Sequence, residues 1–125
     1  SLDELITTSD IISLHCKSAS NNEPIINSKE LNKMKNNSII INTARGNLIN
    51  ERDLKEALEN LTIYGAAIDV YSEEPANNNI LFGTKNIILT PHIAASTVEA
   101  QINVSIQIAE QITNYFSTGK IINAV

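Results

Sequence analysis

Tryptophan is absent from this chain, and among its 125 residues there are only one cysteine, four glycines and three prolines. The single cysteine, Cys16, cannot form a disulfide within the chain, which favours a reducing, cytoplasmic setting. An excess of basic residues is also missing, because the net charge is −5, so we expect no nucleic-acid partner. No apolar run approaches the ~20 residues that cross a bilayer, so no membrane partner is expected either.

Two common kinds of site are missing as well. The glycines stand far apart, so they form no glycine-rich phosphate loop; they are Gly46, Gly65, Gly83 and Gly119. His15 and Cys16 adjoin, but without a second cysteine a zinc cluster is not expected, and we predict no metal site. A nucleophilic pair of these two residues is poorly placed, because adjacent residues of a strand point to opposite faces.

Hydrophobic residues make up 42% of the sequence, which is enough for one compact globular unit. Short β-branched runs alternate along it with segments of helical spacing, which predicts an α/β fold with a parallel sheet and right-handed crossovers. The predicted strands are Ile11–His15, Ser38–Asn42, Ile63–Val70 and Asn86–Thr90.

The predicted helices begin at polar residues that can cap them. Leu2–Thr8 comes first, and the segments after Asn27 and Asn50 follow. The helix after Asn50 has an apolar stripe that we expect to include Leu54, Ala57, Leu58 and Leu61. Ser96 and Glu99 have the spacing of a capping box, which predicts a long C-terminal helix that ends before Gly119. Residues 17–24 read as a loop.

Charged and titratable side chains follow three of the predicted strands. Arg45 comes after the second, Asp69 stands at the end of the third with the pair Glu73-Glu74 in the loop after it, and His92 comes after the fourth. Each one alone is more often an ordinary surface or loop residue. Ligands of a parallel sheet, however, bind beyond the carboxyl ends of its strands, so their common placement favours a site there.

Proton transfer beside a charged substrate is the chemistry that fits this set. His92 can act as a general acid or base near neutral pH. A carboxylate beside it would hold the ring and stabilise its charged form. Arg45 can bind a substrate carboxylate through two hydrogen bonds and polarise a neighbouring carbonyl.

Three blocks of sequence resemble a known family. They are NTARG at 42–46, GAAIDVYSEEP at 65–75 and LTPHIAAST at 89–97, and they are similar to the D-isomer-specific 2-hydroxyacid dehydrogenases. The stretch 96–125 resembles the branch whose substrate is a phosphorylated 2-hydroxy acid. The resemblance implies a partial Rossmann-like, doubly wound sheet, NAD as cofactor, a small 2-hydroxy acid as substrate, and a homo-oligomer, either a dimer or a tetramer.

By this resemblance Arg45, Glu74 and His92 would be catalytic, and Glu74 is chosen over Glu73 because the family's glutamate directly precedes proline. The residues implied in NAD binding are His15, Cys16, Thr43, Ala44, Arg45, Asp69, His92, Ala94 and Ala95. Two positions depart from the family. His15-Cys16-Lys17 replaces a common His-Val-Pro, which predicts a more polar wall, and Ala94 stands where glycine is common.

The resemblance also implies a division into domains. We expect residues 1–125 to form the C-terminal part of an NAD-binding domain, with 96–118 the helix that returns towards a substrate domain. The glycine fingerprint for the pyrophosphate would precede this region, so the chain alone is expected to be inactive. A different 2-hydroxy acid as substrate, a non-catalytic NAD-sensing interaction protein and a degraded remnant stay open as alternatives.

Overall fold

The computed structural model describes residues 1–18 and 21–123, and the chain divides into two units, Ser1–His92 and Ile93–Val125, each described separately here. The first unit is built on a four-stranded sheet in the order β1-β2-β3-β4. Its strands are β1 (Ile11–Leu14), β2 (Ile39–Asn42), β3 (Gly65–Ile68) and β4 (Ile87–Leu89). All neighbouring strands run parallel, so their carboxyl ends share one edge. The predicted α/β class with a parallel sheet is confirmed.

Helices separate the strands along the chain. They are α1 (Leu2–Thr8), α2 (Ser28–Leu31), a one-turn 3₁₀ helix (Gly46–Leu48) and α3 (Glu51–Glu59). Each α-helix begins where a side chain can accept the unsatisfied N–H groups of its first turn: Ser1 caps α1, Asn27 caps α2 and Asn50 caps α3. The second unit holds one long helix, α4 (Val98–Thr118).

Alternation of side chains places one face of the sheet in the core. Ile12 and Leu14 of β1 and Ile40 of β2 are buried, whereas Ile11 is 61% exposed. The core is completed by apolar residues from the helices and loops of the first unit, among them Ile6, Ile26, Leu31, Leu48, Leu54, Leu58, Ile63 and Leu81. This burial fixes the register of the strands, and with it the position of their ends.

Two details of the helix predictions are wrong. α3 ends at Glu59, and Leu61 is 63% exposed instead of joining the apolar stripe. α4 is capped by Thr97, whose side chain accepts the N–H of Ala100 at 3.1 Å. Ser96 is therefore not the cap, and with alanine three residues after Thr97 no capping box forms.

Other boundaries differ less. The strands are shorter than predicted at their ends, and α2 has only one turn. The predicted loop at residues 17–24 is irregular where it is described, and residues 19 and 20 lie outside the described residues. No helix within residues 1–18 and 21–123 has the length and apolar character needed to cross a membrane.

Candidate active site

Asn42, the last residue of β2, shapes the turn that carries Arg45. Its side chain is 1% exposed, and its amide is satisfied by that turn. Nδ2 donates to the carbonyl of Arg45 at 2.9 Å, and Oδ1 accepts the N–H of Ala44 at 3.1 Å. The Arg45 side chain is exposed, with Nη1 donating to the Ala44 carbonyl at 2.6 Å. Within the described residues, Arg45 forms no ion pair with a carboxylate.

Gly46 brings this turn against the loop that follows β3. A Cβ atom at position 46 would lie 1.8 Å from the carbonyl oxygen of Tyr71 and 2.6 Å from the Ser72 nitrogen. Both obstacles are backbone atoms, which cannot move aside as the end of a flexible side chain does. Only glycine therefore allows the two strand-end segments to approach this closely.

Glu74 and His92 form a hydrogen-bonded pair. Glu74 Oε2 lies 2.6 Å from His92 Nδ1, and Glu74 Oε1 accepts the backbone N–H of Tyr71 at 3.0 Å. The hydrogen bond from His92, followed by the one from Tyr71, lowers the pKa of Glu74. An ionised carboxylate only accepts hydrogen bonds, so Nδ1 is the donor in this pair. The neutral ring then carries its lone pair on Nε2, which can accept a proton.

Arg45, Glu74 and His92 line one pocket of about 640 Å³. Ala44, Gly46 and the 70–72 segment also line it, and the remaining wall is polar. In that wall Asn47 joins two other residues, because its Nδ2 donates to Asn22 Oδ1 at 2.9 Å and its Oδ1 accepts the hydroxyl of Ser18. The three predicted catalytic residues thus share a cavity in which a small polar molecule could meet all of them.

Asp69 lies just past the end of β3 with only 3% of its surface exposed. Its Oδ1 accepts the hydroxyl of Thr90, from the end of β4. Between these residues and the pocket, the Tyr71 hydroxyl donates to the Thr90 carbonyl at 2.9 Å, and burial raises the pKa of that hydroxyl. The carboxylate is therefore held at the carboxyl edge of the sheet by its neighbours.

The remaining predicted residues do not line the pocket of Arg45, Glu74 and His92. His15, Cys16 and Thr43 are exposed, and His15 Nε2 lies 2.8 Å from the Ser13 hydroxyl oxygen. Ala94 and Ala95 belong to the second unit, where the Ala95 carbonyl accepts Gln101 Nε2 at 2.6 Å. Their predicted role in cofactor binding stays a prediction.

Sequence reasoning missed the residues that hold this site together. Asn42, Gly46 and Tyr71 have no chemical step in the predicted mechanism, yet they set the two turns that present Arg45 and Glu74. One signal was available: Asn42 is a polar residue at the end of a buried apolar strand, and a buried amide must find partners.

The family model described as D-isomer specific 2-hydroxyacid dehydrogenase, NAD binding domain, matches residues 1–94. The chain belongs to this family. A curated relative, D-3-phosphoglycerate dehydrogenase of Synechocystis sp., is 45% identical over 111 residues, which cover 89% of this chain and 20% of that protein. The chain spans between 20% and 30% of the lengths of the first three curated relatives.

Solved structures give the same fold. A glyoxylate reductase from Paecilomyes thermophila superimposes with a TM-score of 0.77 and 35% identity, over 98% of this chain and 37% of that one. An acyclic imino acid reductase in complex with NADPH and D-Arg gives a TM-score of 0.80 and 35% identity, over 100% of this chain and 40% of that one. The family description confirms NAD as the cofactor of this domain class.

The residues at the carboxyl edge fit such a cofactor. Asp69 supplies a buried carboxylate, and a carboxylate is an acceptor for the amide N–H groups of a nicotinamide carboxamide. Ala44, which lines the pocket beside Arg45, has a small side chain. The predicted role of Asp69, Thr43 and Ala44 at the nicotinamide end stays a prediction.

Proposed function

We propose that the protein containing this chain oxidises a D-2-hydroxy acid with NAD, and that Arg45, Glu74 and His92 carry out the reaction. One observation carries the proposal. The pair of Glu74 Oε2 and His92 Nδ1, at 2.6 Å, lines the same pocket as an arginine that has no carboxylate partner within the described residues. That combination would give a small molecule in the pocket both a base and an anion clamp.

His92 acts as the base in this mechanism. Because Nδ1 donates to Glu74, the neutral ring accepts the hydroxyl proton of the substrate on Nε2. The imidazolium that forms is stabilised by the ionised Glu74 carboxylate, whose own pKa lies below its usual value. In the reverse reaction the same ring returns the proton to the carbonyl oxygen.

Arg45 binds the substrate carboxylate. Its guanidinium offers parallel N–H donors that match the two carboxylate oxygens, and this fixes the carbon that bears the hydroxyl next to His92. NAD, when bound, would accept the hydride that this carbon loses. The protein residues thus orient the substrate and move the proton.

For the substrate we propose 3-phosphoglycerate, oxidised to 3-phosphohydroxypyruvate in serine biosynthesis. Several relatives that align over nearly the whole chain are named D-3-phosphoglycerate dehydrogenase. We further propose that residues 1–125 are the C-terminal part of the NAD-binding domain, that 96–118 returns towards a substrate domain, and that the protein is a cytoplasmic homo-oligomer.

A second candidate is another small 2-hydroxy acid. The structural relatives include a glyoxylate reductase and a glyoxylate/hydroxypyruvate reductase. The same three residues would serve such substrates, because the clamp and the base act on the hydroxy acid group that all of them share.

A substrate panel with the full-length protein tests the proposal. NAD reduction would be followed with 3-phosphoglycerate and D-lactate, and NADH oxidation with glyoxylate and hydroxypyruvate. We expect 3-phosphoglycerate to have the highest kcat/KM, and we expect His92→Ala to lower kcat by about two orders of magnitude. Binding of NAD without turnover of any substrate would favour a non-catalytic NAD-sensing protein, and near-normal turnover by the variant would contradict the role of His92.

A further inference from the structure

The loop that carries Glu74 is tied down on both sides of that residue by one side chain, that of Glu51. Glu51 Oε1 accepts the backbone N–H of Ser72 at 2.7 Å. Its Oε2 accepts the hydroxyl of Ser72 and the Nδ2 of Asn79, each at 2.9 Å. Ser72 and Asn79 lie on opposite sides of Glu74 in the chain, so one carboxylate closes the base of the loop.

Glu51 is itself held firmly. It is the first residue of α3, directly after the cap Asn50, where the positive end of the helix dipole favours a negative charge. α3 is fixed to the core through Leu54 and Leu58, which are 0% and 1% exposed. The carboxylate therefore projects from a rigid element towards a loop that has no regular structure of its own.

The hydrogen bonds that Glu51 accepts from Ser72 and Asn79 form a clamp on this loop. The clamp affects the Glu74–His92 pair through two further contacts. Ser72 directly follows Tyr71, and the N–H of Tyr71 holds Glu74 Oε1 at 3.0 Å. The carbonyl of Tyr71 also packs against Gly46, next to Arg45. A shift of Ser72 would therefore move the donor that orients Glu74, and Glu74 orients His92.

We propose that Glu51 is a positioning residue of the active site, which sets the Glu74 carboxylate by clamping Ser72 and Asn79. The expected effect on kcat rests on the proposed function. The placement of Glu74 by Glu51 does not, because it depends only on contacts within the first unit, and it can be followed through the pKa of Glu74.

Glu51→Gln is the informative variant because it keeps the size of the side chain. An amide has one acceptor oxygen and one NH₂ group. In either orientation the NH₂ faces a donor, the Ser72 N–H or the Asn79 Nδ2. Asn79 cannot reverse its amide without loss, because its Oδ1 accepts the N–H of Leu81 at 2.9 Å. In either orientation of the glutamine amide, the hydrogen bond from the Ser72 N–H or the one from Asn79 Nδ2 is therefore lost.

In the full-length protein we expect Glu51→Gln to lower kcat by about tenfold or more, as a misplacement of about 1 Å can do. The KM for the hydroxy acid should change less, because Arg45 keeps its own support from Asn42. Asp53→Asn is the matched control. It removes a charge from the same turn of α3, but the hydrogen bond that Asp53 accepts, at 2.7 Å, comes from the N–H of Ser28 and not from this loop, so kcat should stay within about twofold of wild type.

A double-mutant cycle separates positioning from a general structural role. If Glu51 acts through Glu74, then Glu51→Gln should cause no further loss of kcat in a Glu74→Gln background. Losses of kcat that multiply in the double variant would overturn the proposal. Asn79→Ala leaves the sequence of α3 unchanged and serves as a second variant should Glu51→Gln fail to fold. It removes the hydrogen bond to Glu51 together with the one from the Leu81 N–H. Its kcat should fall by a smaller factor, and an unchanged kcat would also overturn the proposal.

Carboxyl ¹³C NMR of Glu74 provides the readout that does not depend on turnover. The pKa of Glu74 should rise towards its ordinary value in Glu51→Gln and stay lowered in Asp53→Asn. An unchanged Glu74 pKa in folded Glu51→Gln would overturn the positioning role. If no hydroxy acid is turned over but the Glu74 pKa rises, the proposed function fails and the positioning role stands.

Discussion

Glu74 holds its carboxylate between two donors that come from different strand ends, the Tyr71 N–H and His92 Nδ1. Both donors favour the ionised form, which is why the pKa of Glu74 is lowered. The ionised form in turn decides which nitrogen of His92 carries the hydrogen. The protonation state of one residue and the tautomer of the other are therefore set together.

The lowered pKa has a consequence for stability. The unfolded chain binds a proton at Glu74 at higher pH than the folded protein does, so this group stabilises the fold above its ordinary pKa of about 4.5. That contribution is lost as pH falls from this value through the lowered pKa. We expect the difference in unfolding free energy between wild type and Glu74→Gln, measured by urea unfolding, to shrink across that window.

Glu73→Gln is the control for the loss of one negative charge from this loop, because Glu73 is exposed and adjacent. The prediction would be contradicted if the difference in unfolding free energy between wild type and Glu74→Gln stayed constant from neutral pH to well below 4.5. The hydrogen bonds of Glu74 would then contribute nothing to its ionisation.

Arg45 leads to a separate prediction about substrate binding. Arg45→Lys keeps the charge but replaces a planar fork of donors with a single ammonium group. We expect the KM for the hydroxy acid to rise by about tenfold, which corresponds to roughly 1.4 kcal/mol of lost binding. The KM for NAD, measured in the same assays, should change much less. Equal changes in both constants would argue against a carboxylate clamp.

That Arg45, Glu74 and His92 come together in one pocket could be predicted from the sequence, because each follows a strand whose apolar run is easy to see. Their catalytic roles, and the choice of Glu74 over Glu73, rest on the family resemblance and stay predictions. Asn42 and Gly46 could not be given their roles in that way. The partners of Asn42 depend on how the chain turns back after β2, and the reason for glycine at 46 is a carbonyl 25 positions further along the chain, at Tyr71. Such close approaches appear only when the strands are assembled.

At the scale of single elements, the end of α3 explains one wrong prediction. Leu61 N–H donates to the Leu58 carbonyl at 3.2 Å, and Thr62 N–H donates to the Ala57 carbonyl at 2.8 Å. Leu61 itself has a φ of 54°. This is a Schellman motif, in which the left-handed residue is usually glycine. Apolar spacing made Leu61 look helical, but hydrogen bonding of the last carbonyls ends the helix before it.

Leu61→Gly should therefore stabilise the protein. Leucine in a left-handed conformation costs roughly 1–2 kcal/mol, and glycine does not bear that cost. Because the Leu61 side chain is 63% exposed, little packing is lost with it. We expect a gain of about 0.5–1 kcal/mol in unfolding free energy from denaturant titration, after allowing for the greater freedom of glycine in the unfolded chain.

Asn60→Gly is the matched control at the neighbouring position, where φ is −86° and glycine relieves nothing. It should be neutral or destabilising. A destabilising effect of Leu61→Gly as large as that of the control would mean that the left-handed conformation is not what costs energy there.

The start of α4 shows a different limit of sequence reasoning. Ser96 and Thr97 are both good capping residues, and only Ser96 has a glutamate three residues later. The spacing favoured Ser96, yet Thr97 accepts the Ala100 N–H. Which of two adjacent residues with similar capping propensity becomes the cap depends on the direction in which the chain enters the helix. The local sequence does not encode that direction.

At the scale of the whole molecule, the alternation of strands and helices predicted the parallel sheet, in which strands that follow one another in the chain are neighbours. The predicted right-handed crossovers stay a prediction. Prediction succeeded here because each strand is short, apolar and flanked by polar residues. The relation of α4 to a substrate domain stays a prediction, as does the role of Ala94 and Ala95.

A prediction for the molecule as a whole concerns the minimal active unit. The 125-residue polypeptide, produced alone, should give no measurable NAD reduction with 3-phosphoglycerate, because the family's glycine fingerprint for the pyrophosphate is not in its sequence. The full-length protein at the same concentration is the control. Turnover by the polypeptide at rates ordinary for enzymes, about 1 s⁻¹ or more, would refute this expectation.

The contact between Gly46 and Tyr71 has a practical consequence for anyone who wishes to change what the pocket accepts. Since the backbones of the turns that carry Arg45 and Glu74 touch there, neither turn can be lengthened or moved without displacing the other. Room for a bulkier molecule must come from the part of the lining where Ser18, Asn22 and Asn47 meet through side-chain hydrogen bonds. Directed evolution of new specificity should therefore collect its substitutions at those three positions.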